Sequence, residues 1–188
     1  MVRRTNEFLH TLRTTLSTLE KLPIPTISAI SSVALGGGLE LALATTLRVF
    51  ASAATLGLPE TRLGIIPGAG GTYRLNKLIG EAGALELILT GRRINGREAR
   101  NLGLCQHICK EDEIPLSHQR EATLQAAVDM AMEICQGGPS AVGAALRAVK
   151  SGSEEGETRE YEGILDTLDR GEALKAFVEK RKPKFTGR

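Results

Sequence analysis

The feature that most constrains this chain is a change of texture near residue 110. Before it, short apolar and β-branched runs alternate with helical stretches, separated by glycine and proline; from Gln119 onward every stretch reads as helix. That order predicts an α/β core followed by a helical appendage, divided as residues 1–115 and 116–188. With 188 residues, the chain has the length of one domain, or of one domain carrying a helical arm. Hydrophobic residues make up 41% and charged residues 24%, so a core of ordinary size can form.

Phe8, Leu9, Leu12, Leu16 and Leu19 recur at the spacing of an amphipathic helix. The same stretch carries Arg3, Arg4 and Arg13, many Ser and Thr, and a single early acid, Glu7, which is also the make-up of a mitochondrial transit peptide. The folded helix is preferred, because the following residues run into a strand without a linker. Pro23 and Pro25 end it. Thr26 to Ser31 reads as a strand, and a turn leads to Gly36-Gly37-Gly38 and a buried helix over Leu39 to Ala44. Arg48 to Ala51 and Thr55 to Leu58 are further strands. A loop with Gly64, Pro67, Gly68, Gly70 and Gly71 precedes helices starting near Thr72 and Glu81. Asn95 caps a short helix that Gly103 ends, and Leu104 to Cys109 is a strand. The remaining helices run to the end, broken at Gly137-Gly138-Pro139, Ser151-Gly152 and Gly171, with Glu154, Glu155 and Glu157 at a helix start.

Several function classes find no support. A net charge of +2 is too small to imply a polyanion partner by field alone, and 3% aromatic residues with no Trp leave few platforms for base stacking. Three cysteines, Cys105, Cys109 and Cys135, fit a reducing compartment better than a disulfide framework. The run Cys105-Gln106-His107-Ile108-Cys109 lacks a metal-ligand spacing and alternates like a strand, so no metal site is expected. No apolar run approaches the roughly 18–20 residues of a membrane span.

Two segments carry candidate chemistry. In Ala34-Leu35-Gly36-Gly37-Gly38-Leu39-Glu40, three glycines lie between a strand and a helix. They let a ligand approach the backbone, and the helix start offers unpaired N–H groups. A phosphate cradle is disfavoured: there is neither GxxxxGK nor GxGxxG, and Glu40 in the first turn would repel it. A developing enolate oxygen, which needs only one or two N–H donors and tolerates a nearby acid or base, fits better. The competing structural reading has the glycines serving helix packing and Glu40 capping the helix. The second segment runs from Leu58-Pro59-Glu60 to Gly70-Gly71-Thr72 and places Glu60 between a strand end and a glycine-rich loop. Alone, Glu60 reads as a solvated loop acid.

The runs ALGGGLELAL and PETRLGIIPGAGGTYRL, followed by LTGRRINGREARNLGL and DRGEALKAFVEKRKPKF, resemble the enoyl-CoA hydratase/isomerase (crotonase) family in the family's order. The likeness covers the chain from Leu22 onward and is nearest to methylglutaconyl-CoA hydratases that also bind AU-rich RNA and to short-chain enoyl-CoA hydratases. It implies a spiral of ββα turns, of which this chain would hold the C-terminal ones, then an all-helical region that builds a trimer or a dimer of trimers. It implies hydration of an α,β-unsaturated acyl-CoA, in fatty acid β-oxidation or branched amino acid catabolism, in the mitochondrial matrix, with no cofactor beyond the coenzyme A of the substrate. Glu40 and Glu60 are similar to the two glutamates that activate the water adding at C3 and deliver the proton at C2. The Gly37 amide corresponds to an oxyanion-hole donor and the Gly68 amide to the backbone that orients the water. Phe177 and Lys180 resemble residues that approach the CoA nucleotide, against a reading as helix packing and a solvated lysine.

The chain departs from the family pattern at its start, where no loop of A-G-x-D-[LI] type is found. In the family that loop supplies the second oxyanion N–H and much of the CoA surface, so its lack would impair catalysis, and uncovered sheet surface would make the chain an obligate oligomer. Two alternatives stand beside the hydratase. One is a catalytically inactive structural or RNA-binding member using Lys175, Lys180, Arg181, Lys182, Lys184 and Arg188, although such a charge run is usually a solvated face. The other is an enoyl-CoA isomerase, which would need only one of the two glutamates.

Overall fold

A computed structural model describes residues 2–109 and 118–188. The chain divides into two compact units, Met1–Leu22 with Thr26–Val128, and Pro23–Pro25 with Asp129–Arg188. The boundary expected between residues 115 and 116 lies outside the described residues.

The first unit opens with α1 (Val2–Glu20), whose stripe Leu12, Leu16 and Leu19 packs with Ala44 and Ala69. Phe8, counted in the same stripe, stays exposed near the helix start. Two ββα turns follow. β1 (Ile27–Ile30) and β2 (Val33–Leu35) lead to α2 (Gly37–Leu43), and β3 (Leu47–Ala51) and β4 (Thr55–Gly57) lead to a 3-10 turn (Glu60–Leu63) and α3 (Gly71–Thr90). Corresponding strands stack turn on turn. β1 pairs parallel with β3 from Ile27↔Leu47 to Ile30↔Phe50, and β2 pairs parallel with β4 from Val33↔Thr55 to Leu35↔Gly57. β5 (Ile94–Asn95) adds antiparallel to β4, α4 (Gly96–Asn101) follows, and β6 (His107–Cys109) adds parallel to β3. Val49, Phe50 and Ala51 are fully buried, as a strand covered on both faces requires. Leu39, Leu56, Leu58, Leu75 and Leu104 complete the core around them.

Local signals placed several boundaries. Gly80, at φ 78 and ψ 166, interrupts α3 and separates the two helices expected from Thr72 and Glu81. The Asn95 side chain accepts from Glu98 N at 2.8 Å, so it caps α4 as expected. Asn95→Ala should cost about 1 kcal/mol, seen as a lower thermal midpoint; an unchanged midpoint would mean the cap contributes nothing.

Other boundaries differ from expectation. A turn was expected where β2 forms; three residues with Val33 exposed carry no readable period, and pairing with β4 makes the strand. The strand expected from Leu104 begins only at His107, because Leu104 N instead donates to Ala99 O and closes α4.

In the second unit, α5 (Gln119–Ile134), which begins in the first unit, gives way to α6 (Pro139–Ser151), α7 (Glu154–Glu162) and α8 (Leu168–Val178). The breaks at Gly137–Pro139 and Ser151–Gly152 are present, the second with Gly152 at φ 60. Gly171 breaks nothing: the interruption falls before Thr167, whose hydroxyl accepts from Arg170 N and starts α8 with Gly171 inside it. One helical glycine costs about 1 kcal/mol, which a cap offsets. Nor is the chain helical to its end. After Val178 the backbone turns at Lys180 (φ 52) and folds back, with Asp169 accepting from Thr186 N at 2.6 Å and Gly187 N at 2.8 Å.

Candidate active site

Glu40 lies in the first turn of α2 and is 3% exposed. Its Oε1 accepts from Ala69 N at 2.7 Å and from Gly71 N at 2.8 Å, so the glycine-rich loop closes over the carboxylate. The fit needs glycine at 71, where a Cβ would sit 3.0 Å from Glu40 Oε1, Leu58 Cδ1 and Pro67 Cβ.

Glu60 begins the 3-10 turn after β4 and is 9% exposed. Its Oε2 is buried without a hydrogen-bond partner among the described residues, an expensive arrangement for an ionised oxygen. Burial pushes the Glu60 pKa above its ordinary 4.5; its own backbone N–H opposes the shift, and the nearby charge of Glu40 adds to it. Gly36, at φ 54 and ψ −126, occupies backbone space that only glycine enters readily, and a Cβ there would stand 3.1 Å from Glu60 Oε1.

The structure therefore brings Glu40, Glu60 and the Gly36–Gly38 turn together. Gly37 is the first residue of α2, where an N–H has no partner within the helix, and a Cβ on Gly37 or Gly38 would meet nothing within 4 Å among the described residues. Open space thus faces these backbones. Gly68 stands in the loop beside Ala69; Arg13 Nε donates to its carbonyl at 2.6 Å, and Leu9 lies against it. Phe177 and Lys180 belong to the second unit, Phe177 being 84% exposed and Lys180 at the turn after α8. Cys105 and Cys109 are buried, and burial pushes the Cys105 thiol up to about 11, against the opposing charges of Arg100 and Arg48.

The residues that sequence reading missed are the two amides that hold Glu40 and the buried Arg74. Ala69, Gly71 and Arg74 all lie within PGAGGTYRL, but nothing in that run says that its amides reach a side chain from α2.

Comparison with known proteins agrees with this architecture. The profile of the family described as Enoyl-CoA hydratase/isomerase matches residues 1–188. The chain is 54% identical to Methylglutaconyl-CoA hydratase 1, mitochondrial, of Pyricularia oryzae, over 98% of this chain and 57% of that protein. It is 57% identical to an enoyl-CoA isomerase/hydratase of Zymoseptoria tritici, over 98% of this chain and 62% of the relative. The chain thus spans about three fifths of the length of these relatives. Among solved structures, the enoyl-CoA hydratase from Bacillus anthracis superposes with a TM-score of 0.89 at 42% identity, over 99% of this chain and 71% of that one. The ββα spiral is the fold these structures share.

Proposed function

The chain belongs to the enoyl-CoA hydratase/isomerase family, and we propose that it adds water across the double bond of an α,β-unsaturated acyl-CoA thioester. The observation that carries this reading is the pairing of two unlike buried carboxyls, Glu40 gripped by two amides and Glu60 with an oxygen that has no partner among the described residues. Glu40, with Oε1 held, presents its other oxygen to a water and takes its proton as the water oxygen bonds C3. The π electrons move toward the thioester oxygen, where the Gly37 amide stabilises the enolate, and Gly68 helps to orient the water. Glu60, whose raised pKa favours its protonated form, gives a proton to C2. A proton then passes from Glu40 to Glu60 by way of solvent and restores the starting state. These steps call for no metal or redox cofactor.

The substrate-side contacts of Phe177 and Lys180 with the CoA nucleotide, assembly into a trimer or a dimer of trimers, and a place in the mitochondrial matrix belong to the same reading. Exposed Leu63, Ile66 and Leu89 in the first unit support assembly, since such side chains cluster at interfaces. The name of the Pyricularia relative supports the compartment. RNA binding by the basic tail is less well supported. Arg181 is taken by Glu172 at 2.6 and 3.0 Å, and together with the Lys184 amide it holds the Glu172 carboxyl down to about 2.

The test is loss of the conjugated thioester absorbance of crotonyl-CoA in the presence of the chain. Hydration should be measurable in the parent and fall on the order of 10²–10⁴-fold in Glu40→Gln. A folded parent with no hydration above the uncatalysed rate would reject the reading. A Glu40→Gln variant that still moved a 3-enoyl double bond to the 2-position would favour isomerisation, the activity that shares the name of the Zymoseptoria relative.

A further inference from the structure

Arg74, near the start of α3, is 3% exposed, and its donors divide in an informative way. Nε and Nη2 donate to Glu20 Oε2 at 3.1 and 2.9 Å, and Nη1 donates to Ala69 O at 2.9 Å. Ala69 is the residue whose own N–H holds Glu40 at 2.7 Å. It is thus gripped at both its N–H and its C=O, by groups from α2 and α3, and neither flanking peptide can turn without breaking one grip. Gly70, at φ 107, leaves the room this needs, since a Cβ there would overlap Arg74 Nη1 and crowd the Tyr73 hydroxyl. The Tyr73 ring covers the guanidinium, with Arg74 Cζ 4.8 Å from its centroid. Arg48 offers a contrast: also buried, it spends its donors on the carbonyls of Leu104 and Thr45 and closes helix α2 and its neighbouring loop.

We infer that Arg74, clamped by Glu20 of α1, is a positioning residue that sets the Ala69–Gly71 amides and through them the orientation of Glu40. The inference rests on the hydratase reading for the role of Glu40, but the physical coupling from Arg74 to the two amides does not. Carboxylates at reacting centres must be held to a fraction of an ångström, and a misplacement of about 1 Å can cost on the order of 10²-fold in rate. A guanidinium is suited to the task because its planar fork spans a carboxylate and a carbonyl at once, which an ammonium cannot do with the same geometry.

The test uses the whole chain as Arg74→Met, Arg74→Lys and Glu20→Ala variants beside the parent, with two readouts. The first is amide hydrogen exchange at Ala69 and Gly71, compared with Val49 and Phe50 of β3. The second is the split between kcat and KM in crotonyl-CoA hydration. Arg74→Met should speed exchange at Ala69 and Gly71 by more than about 10-fold while β3 is unchanged, and lower kcat by roughly 10- to 100-fold with KM nearly constant. Arg74→Lys should recover part of both. Equal exchange in parent and variant, or loosening shared by β3, would overturn the inference. Should Arg74→Met fail to fold, the same comparison in Glu20→Ala decides. A parent without hydration, whose Ala69 and Gly71 amides still respond to Arg74, would reject the hydratase reading and keep the positioning one. An active parent whose kcat and amides ignore all three changes would do the reverse.

Discussion

Glu60→Gln should cut hydration on the order of 10²–10⁴-fold and at the same time raise the melting temperature at neutral pH. Both effects follow from the same buried oxygen. Glu60 Oε2 has no partner among the described residues, so ionising it inside the fold is costlier than ionising it in the unfolded chain, and its folded pKa is raised above 4.5. The folded state therefore binds this proton more tightly than the unfolded state does. Below the unfolded value both states are protonated and the site costs nothing. As pH rises from the unfolded value toward the raised one, the folded chain loses stability relative to a chain that is neutral at this position. A glutamine is neutral throughout, so the gap between the midpoints of variant and parent should open from pH 4 to pH 7.5. The activity lost is that of a general acid, on the order of 10²–10⁴-fold. Glu40→Gln should lose activity without gaining stability, because the charge-assisted bonds from Ala69 and Gly71 weaken. Thermal melts across that pH range, with rates taken on the same samples, check the pair. A Glu60→Gln variant that melts at or below the parent at pH 7.5 would show that burial of this carboxyl is not a cost the fold carries.

Gly96→Ala should be the most damaging single methyl in the first unit. Gly96 opens α4 against the end of β3, and a Cβ there would fall on the Ala51 carbonyl oxygen, with Ser52 O 3.2 Å away. The obstacle is backbone, not the end of a flexible side chain, and it belongs to the strand that pairs with both β1 and β6. Relief requires moving α4 or the end of the central strand. Overpacking of this kind costs about 3 kcal/mol, a fall of roughly 6–12 °C in midpoint for a chain of this size. Gly38→Ala is the control: a Cβ there meets nothing within 4 Å among the described residues, and alanine is the better helix former, so the fold should be as stable or slightly more so. Calorimetry on the two variants compares them directly, and equal midpoints would refute the argument from close approach.

These expectations mark where local information ends. The cap at Asn95, the interruption at Gly80 and the break at Ser151–Gly152 depend on groups a few residues apart, and the amino-acid sequence by itself determined them. The resemblance to a hydratase family was likewise carried by linear motifs. Strand β2 was not legible, because its three residues become a strand only by pairing with β4 some twenty residues on. Gly171 misled for a related reason: a helix tolerates one glycine when a cap and neighbours outweigh its cost. At the site, Glu60 reads along the chain as a solvated acid beside a proline, and only the closed fold buries it and leaves one oxygen without a partner among the described residues. The grip on Glu40 spans 29 and 31 residues, and the clamp from Arg74 to Glu20 spans 54. Such contacts form only once loop closure has been offset by burial of the whole core, so tertiary structure alone decided which amides hold which carboxylate.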